Sequence, residues 1–240
     1  MVCPAGSHCH LHQHHESDHH HILHQPAEIR RIIMELTKEL LETLNQVPTG
    51  NVADNNPDGY VMSPSLRPVD PSLHMIGRAF PVKCKGGDNL ALHEGMAAAK
   101  AGDVLIFDCE GYCEAGHFGD MMANACMVKG IAGVVINGSC RDNQDILELK
   151  YPVYAKAYCP APTVKKTHAV MNEAMDICGA HICPGDLVFA DGDGIVIIPQ
   201  EKEDEVIEKA LAKFAKEKEI LARIRNGEST MTIYGFDKIK

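Results

Sequence analysis

The apolar positions of this chain change period several times, and the changes mark its elements. From Pro26 onward, Ile29, Ile32, Ile33, Leu36, Leu40, Leu41 and Leu44 recur at three- and four-residue spacing, which predicts an amphipathic helix to about Gln46. Residues 47–76 are rich in Pro, Gly, Asn and Asp and read as loops with short extended pieces. The pattern then alternates. Arg78–Lys83 reads as a strand, Asn89–Lys100 as a helix and Asp103–Cys109 as an apolar strand, with a helix over Gly119–Lys129 and a second apolar strand over Ala132–Asn137. This rhythm implies helices packed on a largely parallel sheet. Further on, Val153–Ala157, Asp186–Ala190 and Gly194–Ile198 read as strands joined by turns containing Pro and Gly. Val206, Ile207, Ala210, Leu211 and Phe214 form the apolar side of a last helix, from about Glu201 to Asn226. There is no internal repeat. The reading is one α/β domain over 26–240, with an N-terminal helix and a C-terminal helical arm.

Residues 1–25 carry no such pattern. Nine of the fourteen histidines lie there, beside Cys3 and Cys9. With almost nothing apolar to bury, the segment is expected to be a disordered leader. Imidazole and thiolate suit zinc, nickel or copper, so transition-metal binding by this leader stands beside the plainer reading of a polar tail without a role.

Composition narrows the function classes. The 240 residues are 45% apolar and 23% charged, as in an ordinary globular protein. A formal net charge of −10 with no basic block argues against nucleic acid as a partner. Apolar runs such as Val104–Phe107 are strand-sized, so no membrane span is expected, and nothing resembles a secretory signal; a cytoplasmic location is the expectation. The ten cysteines are scattered through strand and helix patterns, and most read as small buried hydrophobes. Cys109 and Cys113 lack a second pair at zinc-site spacing.

The segment Gly119–Asp142 carries the candidate chemistry. It opens with Gly-Asp at a helix start, runs through one helix and one buried strand, and ends in Asn137-Gly-Ser-Cys-Arg-Asp142. In a parallel α/β arrangement, strand C-termini and helix N-termini meet on one edge, so Asp120 should face Arg141 and Asp142. Backbone N–H groups of Met121 and Met122 could then bind a substrate carboxylate. Arg141 offers a fork of donors suited to a carboxylate or an enolate oxygen. Asp142 is a hard oxygen ligand for hydrated Mg²⁺ or Mn²⁺, and Asp120 could orient a metal-bound water for proton transfer. The same residues also read more plainly: Asp120 as a charge favoured by the helix dipole, and Arg141-Asp142 as a surface ion pair.

Several stretches in order resemble the RraA-like family, which includes the class II 4-hydroxy-4-methyl-2-oxoglutarate / 4-carboxy-4-hydroxy-2-oxoadipate aldolases. They are Asp88-Asn89-Leu90, Ala101-Gly102-Asp103-Val104-Leu105, Gly119-Asp120 and Gly130-Ile-Ala-Gly-Val-Val-Ile-Asn-Gly138, followed by Arg141-Asp142, Pro152-Val153, Pro184-Gly185-Asp186 and Ala190-Asp191-Gly-Asp-Gly-Ile-Val-Ile-Ile-Pro199. The resemblance covers roughly residues 45–235, and the aldolase hallmark of an acid, twenty residues, then Arg-Asp is met by Asp120 and Arg141-Asp142. It implies a layered β/β/α swivelling-type domain with a partly parallel sheet, assembled as a homotrimer or hexamer. It also implies retro-aldol cleavage of a 4-hydroxy-2-oxo diacid to pyruvate and a carbonyl product, with oxaloacetate decarboxylation as a side activity. Asp142 would ligate a divalent metal, Mg²⁺ or Mn²⁺, directly. Asp120 would act through a metal-bound water, and Arg141 would stabilise the pyruvate enolate. Gly119, Met121, Met122 and Asn89 would bind substrate. An acid of a neighbouring subunit's C-terminal helix would complete the site, with Glu217 or Glu219 the candidates.

Asn137 stands where an acid is common in the family, Ala174-Met175 where Pro-Val is usual, and the His/Cys leader has no counterpart. His93 and His117 fall near the expected mouth and read as structural. Other readings compete. Some relatives are regulators that dock on an RNA-degrading endonuclease, although these tend to lack the acid at Asp120. A menaquinone methyltransferase should show a Gly-rich strand-to-helix turn, which Gly86-Gly87 is not. Metal storage by the leader is the third.

Overall fold

A computed structural model describes residues 33–239. The leader and the first part of the predicted N-terminal helix lie outside the described residues. The chain opens with α1 (Lys38–Leu44) and α2 (Thr49–Ala53), followed by the short strands β1 (Tyr60–Val61) and β2 (Arg67–Pro68). The alternating section is β3 (Met75–Lys83), α3 (Leu90–Ala98), β4 (Asp103–Phe118), α4 (Asp120–Lys129), β5 (Gly133–Cys140), α5 (Asn143–Leu149) and β6 (Val153–Tyr158). Then come β7 (Val170–Met171), β8 (Met175–Ile177), β9 (Ala180–Ile182), β10 (Leu187–Ala190) and β11 (Ile195–Ile198), and finally α6 (Glu203–Arg225) and α7 (Thr230–Ile233).

The expected partly parallel sheet is present. Its order is β1-β11-β10-β3-β4-β5-β6-β2, with β7 on the end of β3. The four central strands β3, β4, β5 and β6 run parallel because a helix crosses between each consecutive pair, while the flanking strands are antiparallel. Strand alternation sorts the core into layers. Leu105, Phe107, Val134 and Ile136 face Leu92, Ala123, Cys126 and Ile146 of the crossover helices. Val104, Ile106 and Val135 face the other way, against Ile177 and Ile182 of the β8–β9 hairpin and Met62 and Leu66 before it. A third cluster packs Leu187, Phe189, Val196 and Ile198 on Leu44, Val52, Val206, Ile207 and Ala210. The result is hairpin on sheet on helix, with α6 as the C-terminal helix. Among the described residues, no helix is long and apolar enough to cross a membrane.

Cys84, Cys109, Cys126 and Cys140 are buried in the helix-side core, as small hydrophobes should be. Burial pushes the Cys126 thiol up to about 11 and Cys140 up to about 12. For Cys109, the hydrogen bond with Cys84 and then burial drive the shift upward.

Three predicted elements differ from the sequence expectation. Residues 33–37 are not helical, and α1 begins only after Thr37, whose side chain caps it through the Leu40 N–H at 3.2 Å. The reason is tertiary: the Met34 N–H donates to Glu203 Oε1 at 2.7 Å, and Arg78 Nη2 donates to the Met34 carbonyl, so the groups a helix would use are occupied. Strand β4, predicted to end at Cys109, runs on to Phe118 through a bulge. Glu110 (φ 58°) and Gly111 (φ 70°) turn left-handed, and the register against β5 shifts between Asp108 and Tyr112, again before Gly116, and again before Phe118. β5 likewise continues past Asn137 to Cys140.

Arg78 and Glu203 form an ion pair with the Glu203 side chain only 2% exposed. Replacing Glu203 by Ala leaves the guanidinium beside two carbonyls with no counter-charge, so a loss of about 3–5 kcal/mol is expected in urea unfolding.

Candidate functional site

The parallel pairing of β4 and β5 ends with Phe118 opposite Cys140. The Arg141 N–H extends the ladder by one bond to the Phe118 carbonyl at 2.9 Å. Gly119-Asp120 and Arg141-Asp142 therefore leave the same sheet edge side by side, as expected. Gly119 N-caps α4 with extended backbone, and Asp120 opens its first turn. Asp142 N-caps α5 in the left-handed region at φ 56°, ψ 37°, a conformation uncommon outside Gly, Asn and Asp. That turn brings Oδ2 of Asp142 back to the Asp120 N–H at 3.4 Å and to Arg141 Nε at 3.4 Å.

Two glycines make room for this pair. A Cβ on Gly119 would lie 2.4 Å from Asp142 Oδ2 and 3.4 Å from Arg141 Nε. One on Gly116 would lie 2.8 Å from Arg141 Cβ and 2.4 Å from the Cys159 carbonyl. At the helix start, the Met122 N–H turns back to the Gly119 carbonyl at 3.1 Å and is not free, which leaves the Met121 N–H without a partner among the described residues. Of the two amides expected to be open, the tighter three-residue closure of the first turn takes one.

Asp120, Arg141 and Asp142 line a single cleft of about 200 Å³ with Gly119, Asn89, His93, His117, Met121, Met122 and Lys165. Asn89 is 8% exposed. Its Nδ2 donates to the His117 carbonyl at 3.2 Å, while Oδ1 is buried with no partner. His117 is fully buried. Its Nε2 accepts the Gly87 N–H at 2.9 Å, so Nδ1 carries the proton and donates to the Ser139 carbonyl at 3.2 Å. Both nitrogens are satisfied within the chain, and burial pushes its pKa below the ordinary histidine value. His93 is exposed at the rim.

Lys165 is a cleft residue that the sequence pattern does not single out. It is brought there by Asp88, a buried carboxylate that accepts the N–H groups of Leu90 at 3.0 Å, Lys166 at 2.8 Å and Thr167 at 2.9 Å. Burial alone would raise the Asp88 pKa; those three backbone donors outweigh it and hold it below the carboxylate range. The loop is also pinned by Val164 N–H to the Gly87 carbonyl at 2.9 Å and Asn89 N–H to the Val164 carbonyl at 3.1 Å. Residues 160–169 show no apolar period that could have announced this.

Glu217 is not part of this cleft within the chain. Its Oε2 accepts from Asn51 Nδ2 at 2.8 Å and its Oε1 lies 3.6 Å from Lys213. Glu219 is exposed on the same helix. Asn137 also lies outside the cleft, with Nδ2 donating to Asp108 at 2.6 Å. Among the described residues, no group of three or more His, Cys, Asp or Glu side chains is arranged to hold a metal by itself.

A family described as Aldolase/RraA matches residues 49–197, more than half of the chain and all of the cleft described above. The chain belongs to the RraA-like family. It is 29% identical over 177 residues to a Halalkalibacterium halodurans protein named "Putative 4-hydroxy-4-methyl-2-oxoglutarate aldolase", covering 74% of this chain and 84% of that one. It is 35% identical over 174 residues to an uncharacterized Methanocaldococcus jannaschii protein, covering 72% and 84%. Among solved structures, the RNA-processing inhibitor RraA from Thermus thermophilis superposes with a TM-score of 0.59 at 25% identity, covering 63% of this chain and 92% of that one. The RraA-like fold expected from the sequence is thus the observed one.

His117 gives the cleft a pH signature. Its folded-state pKa is depressed, so the unfolded chain takes up a proton near pH 6.5 that the folded chain refuses. Stability is therefore full above about pH 6.5 and falls as the pH drops below it. Urea midpoints measured from about pH 8 to about pH 5 should decline more steeply in the wild type than in His117→Gln, which has nothing to protonate there. Parallel declines would mean that this ring is not held neutral.

Proposed function

We propose that this RraA-like protein is a divalent-metal-dependent pyruvate aldolase that cleaves a 4-hydroxy-2-oxo diacid to pyruvate and a carbonyl product, and decarboxylates oxaloacetate through the same enolate. The observation that carries this reading is the convergence of Asp120, Arg141 and Asp142 on one small cleft. An isolated surface ion pair would need neither the glycine cradle nor the left-handed Asp142.

The donor set fits a hydrated Mg²⁺ or Mn²⁺. Such ions accept one or two carboxylates and keep several waters, and the cleft has two carboxylates and the unpartnered oxygen of Asn89. Asp142 would hold the ion directly and Asp120 from beyond its water shell. When bound, the cation supplies Lewis-acid polarisation of the 2-oxo group. The chain's own groups account for the rest. The Met121 N–H and the α4 N-terminus receive the C1 carboxylate. Asp120 takes the proton from the C4 hydroxyl as its oxygen forms the C4=O bond and the C3–C4 bond breaks; that pair becomes the C2=C3 double bond of the enolate, and the C2=O π pair moves onto the C2 oxygen. Arg141 donates to that oxygen as its negative charge develops, and a proton returned to C3 yields pyruvate. An acid at Glu217 or Glu219 of a neighbouring copy would complete the site. Exposed Leu221, Ile224, Met231, Tyr234 and Phe236 along the C-terminal arm support self-association as a homotrimer or hexamer.

The second reading is a regulator without catalysis, and it is favoured by the structural likeness to the Thermus relative, an RNA-processing inhibitor. The retained acid in the cleft weighs for the enzyme. Pyruvate release from 4-hydroxy-4-methyl-2-oxoglutarate and from oxaloacetate, assayed with Mg²⁺ or Mn²⁺ and again after EDTA, separates the two. The aldolase requires EDTA-sensitive turnover; no turnover together with tight binding to an RNA-degrading endonuclease favours the regulator. Asp142→Ala should abolish the metal-dependent rate, and Arg141→Lys should cost about 10²–10³-fold. Asp120→Asn should cost about 10²–10⁴-fold in kcat, and near-normal turnover in that variant would reject its assigned role.

Gly119→Ala tests the cradle separately. The backbone at Gly119 is extended and tolerates any side chain, so its fold should persist. The added Cβ displaces the Asp142 carboxylate, and kcat/KM should fall about 10²-fold with little change in thermal midpoint.

A further inference from the structure

The Gly86-Gly87 pair matches no cofactor motif, and the half-exposed Tyr112 stands in a bulge that the apolar pattern does not predict. The structure puts the two together. A Cβ on Gly86 would lie 2.7 Å from Tyr112 Cβ, and one on Gly87 would lie 3.5 Å from Tyr112 Cε1. Gly87 is also left-handed, at φ 76°. The ring therefore rests on a turn that suits glycine. From the other side, His117 Nε2 accepts the Gly87 N–H at 2.9 Å, and the two rings meet edge to face with centroids 6.0 Å apart. Glu110 adds a peripheral tie, accepting the Gly86 N–H at 3.1 Å and pairing with Lys85.

Just beyond this turn is Asn89, which stands at the N-cap of α3 without capping it. An Asn at that position ordinarily accepts an N–H of the first helical turn through its own side chain. Here Asp88 Oδ1 takes the Leu90 N–H instead, at 3.0 Å. Asn89 Nδ2 is fixed on the His117 carbonyl at 3.2 Å, and Oδ1 stays buried in the cleft wall with no partner. An unmade cap and an orphan buried acceptor both oppose this arrangement, so it must be held from outside. The far side of the turn is held by Asp88 and by the Val164 carbonyl. The near side has the clamp of Tyr112 and His117.

We infer that Tyr112 is a positioning residue: its ring clamps the Gly86-Gly87 turn against His117 and so keeps the Asn89 oxygen in the wall of the cleft. This inference rests on the aldolase reading above, in which that oxygen belongs to the donor set of the site. Tyr112 does not line the cleft and acts only through the turn. The bulge in β4 is the device that aims the ring, as bulges beside active sites re-aim side chains.

The test compares Tyr112→Ala with Tyr112→Phe in amide hydrogen exchange and in Mg²⁺-dependent kinetics on 4-hydroxy-4-methyl-2-oxoglutarate. Tyr112→Ala should speed exchange of the 84–89 amides about 10-fold relative to wild type, whereas Tyr112→Phe, which keeps the ring, should exchange as wild type does. In Tyr112→Ala, kcat/KM should fall about 10–100-fold, as in Asn89→Ala, and Tyr112→Phe should retain most of it. The double variant Tyr112→Ala/Asn89→Ala should be no slower than the worse single one, because the ring acts through the Asn89 side chain. A general loss of packing would instead speed exchange throughout the chain and multiply the two kinetic effects. Unchanged exchange at 84–89, or multiplied losses in the double variant, overturns the role of Tyr112 and leaves the aldolase reading intact. Wild-type protein that cleaves nothing overturns the aldolase reading, and the exchange comparison then decides the clamp by itself.

Discussion

The site depends on one pairing, the parallel ladder between β4 and β5. It is built from Val104–Phe107 against Gly133–Ile136, continues past a bulge, and closes with the Arg141 N–H on the Phe118 carbonyl. Because the two strands run in the same direction and end together, the helix start that follows one and the turn that follows the other emerge at a single edge. An antiparallel pairing would send Asp120 and Asp142 to opposite ends of the sheet. Everything chemical about the cleft follows from that direction.

Around this edge, small backbone choices place charge. Gly116 and Gly119 give up side chains so that Arg141 and Asp142 can lie against the main chain. Asp142 adopts a left-handed turn that a carboxylate residue tolerates, and the turn aims the carboxylate at the helix start. Asp88 directs its own charge to three backbone N–H groups and thereby ties the 164–167 loop to the cleft wall. His117 is held as a neutral wedge between Gly87 and Ser139, which joins the segment between β3 and α3 to β5. The wall of the cleft is thus tied together by hydrogen bonds between segments far apart in sequence.

What periodicity can read, it reads well here. Continuous apolar runs mark the buried strands, and the three- and four-residue spacing of Val206, Ile207 and Ala210 marks α6. The same rule overreaches near the N-terminus. Ile33 and Leu36 keep helical spacing, yet Arg78 and Glu203 claim the backbone of Met34. It also falls short on β4, whose second half mixes Gly, Glu and Cys because a bulged strand has no regular face to bury.

Of the cleft itself, the sequence by itself determined the members that lie on one local segment: Gly119, Asp120, Arg141 and Asp142, separated by one helix and one strand that must return the chain to the same edge. Asn89, Met121, Met122, His93 and His117 were also expected near its mouth and line it, but other features were decided only by the tertiary structure. Lys165 reaches the cleft through hydrogen bonds between residues nearly eighty positions apart, Met122 loses its free amide to the first turn of its own helix, and Glu217 is engaged by Asn51 rather than by the cleft of its own chain. The physical reason is range: apolar period and chain direction act locally, while buried hydrogen bonds and ion pairs choose their partners only once the layers have packed.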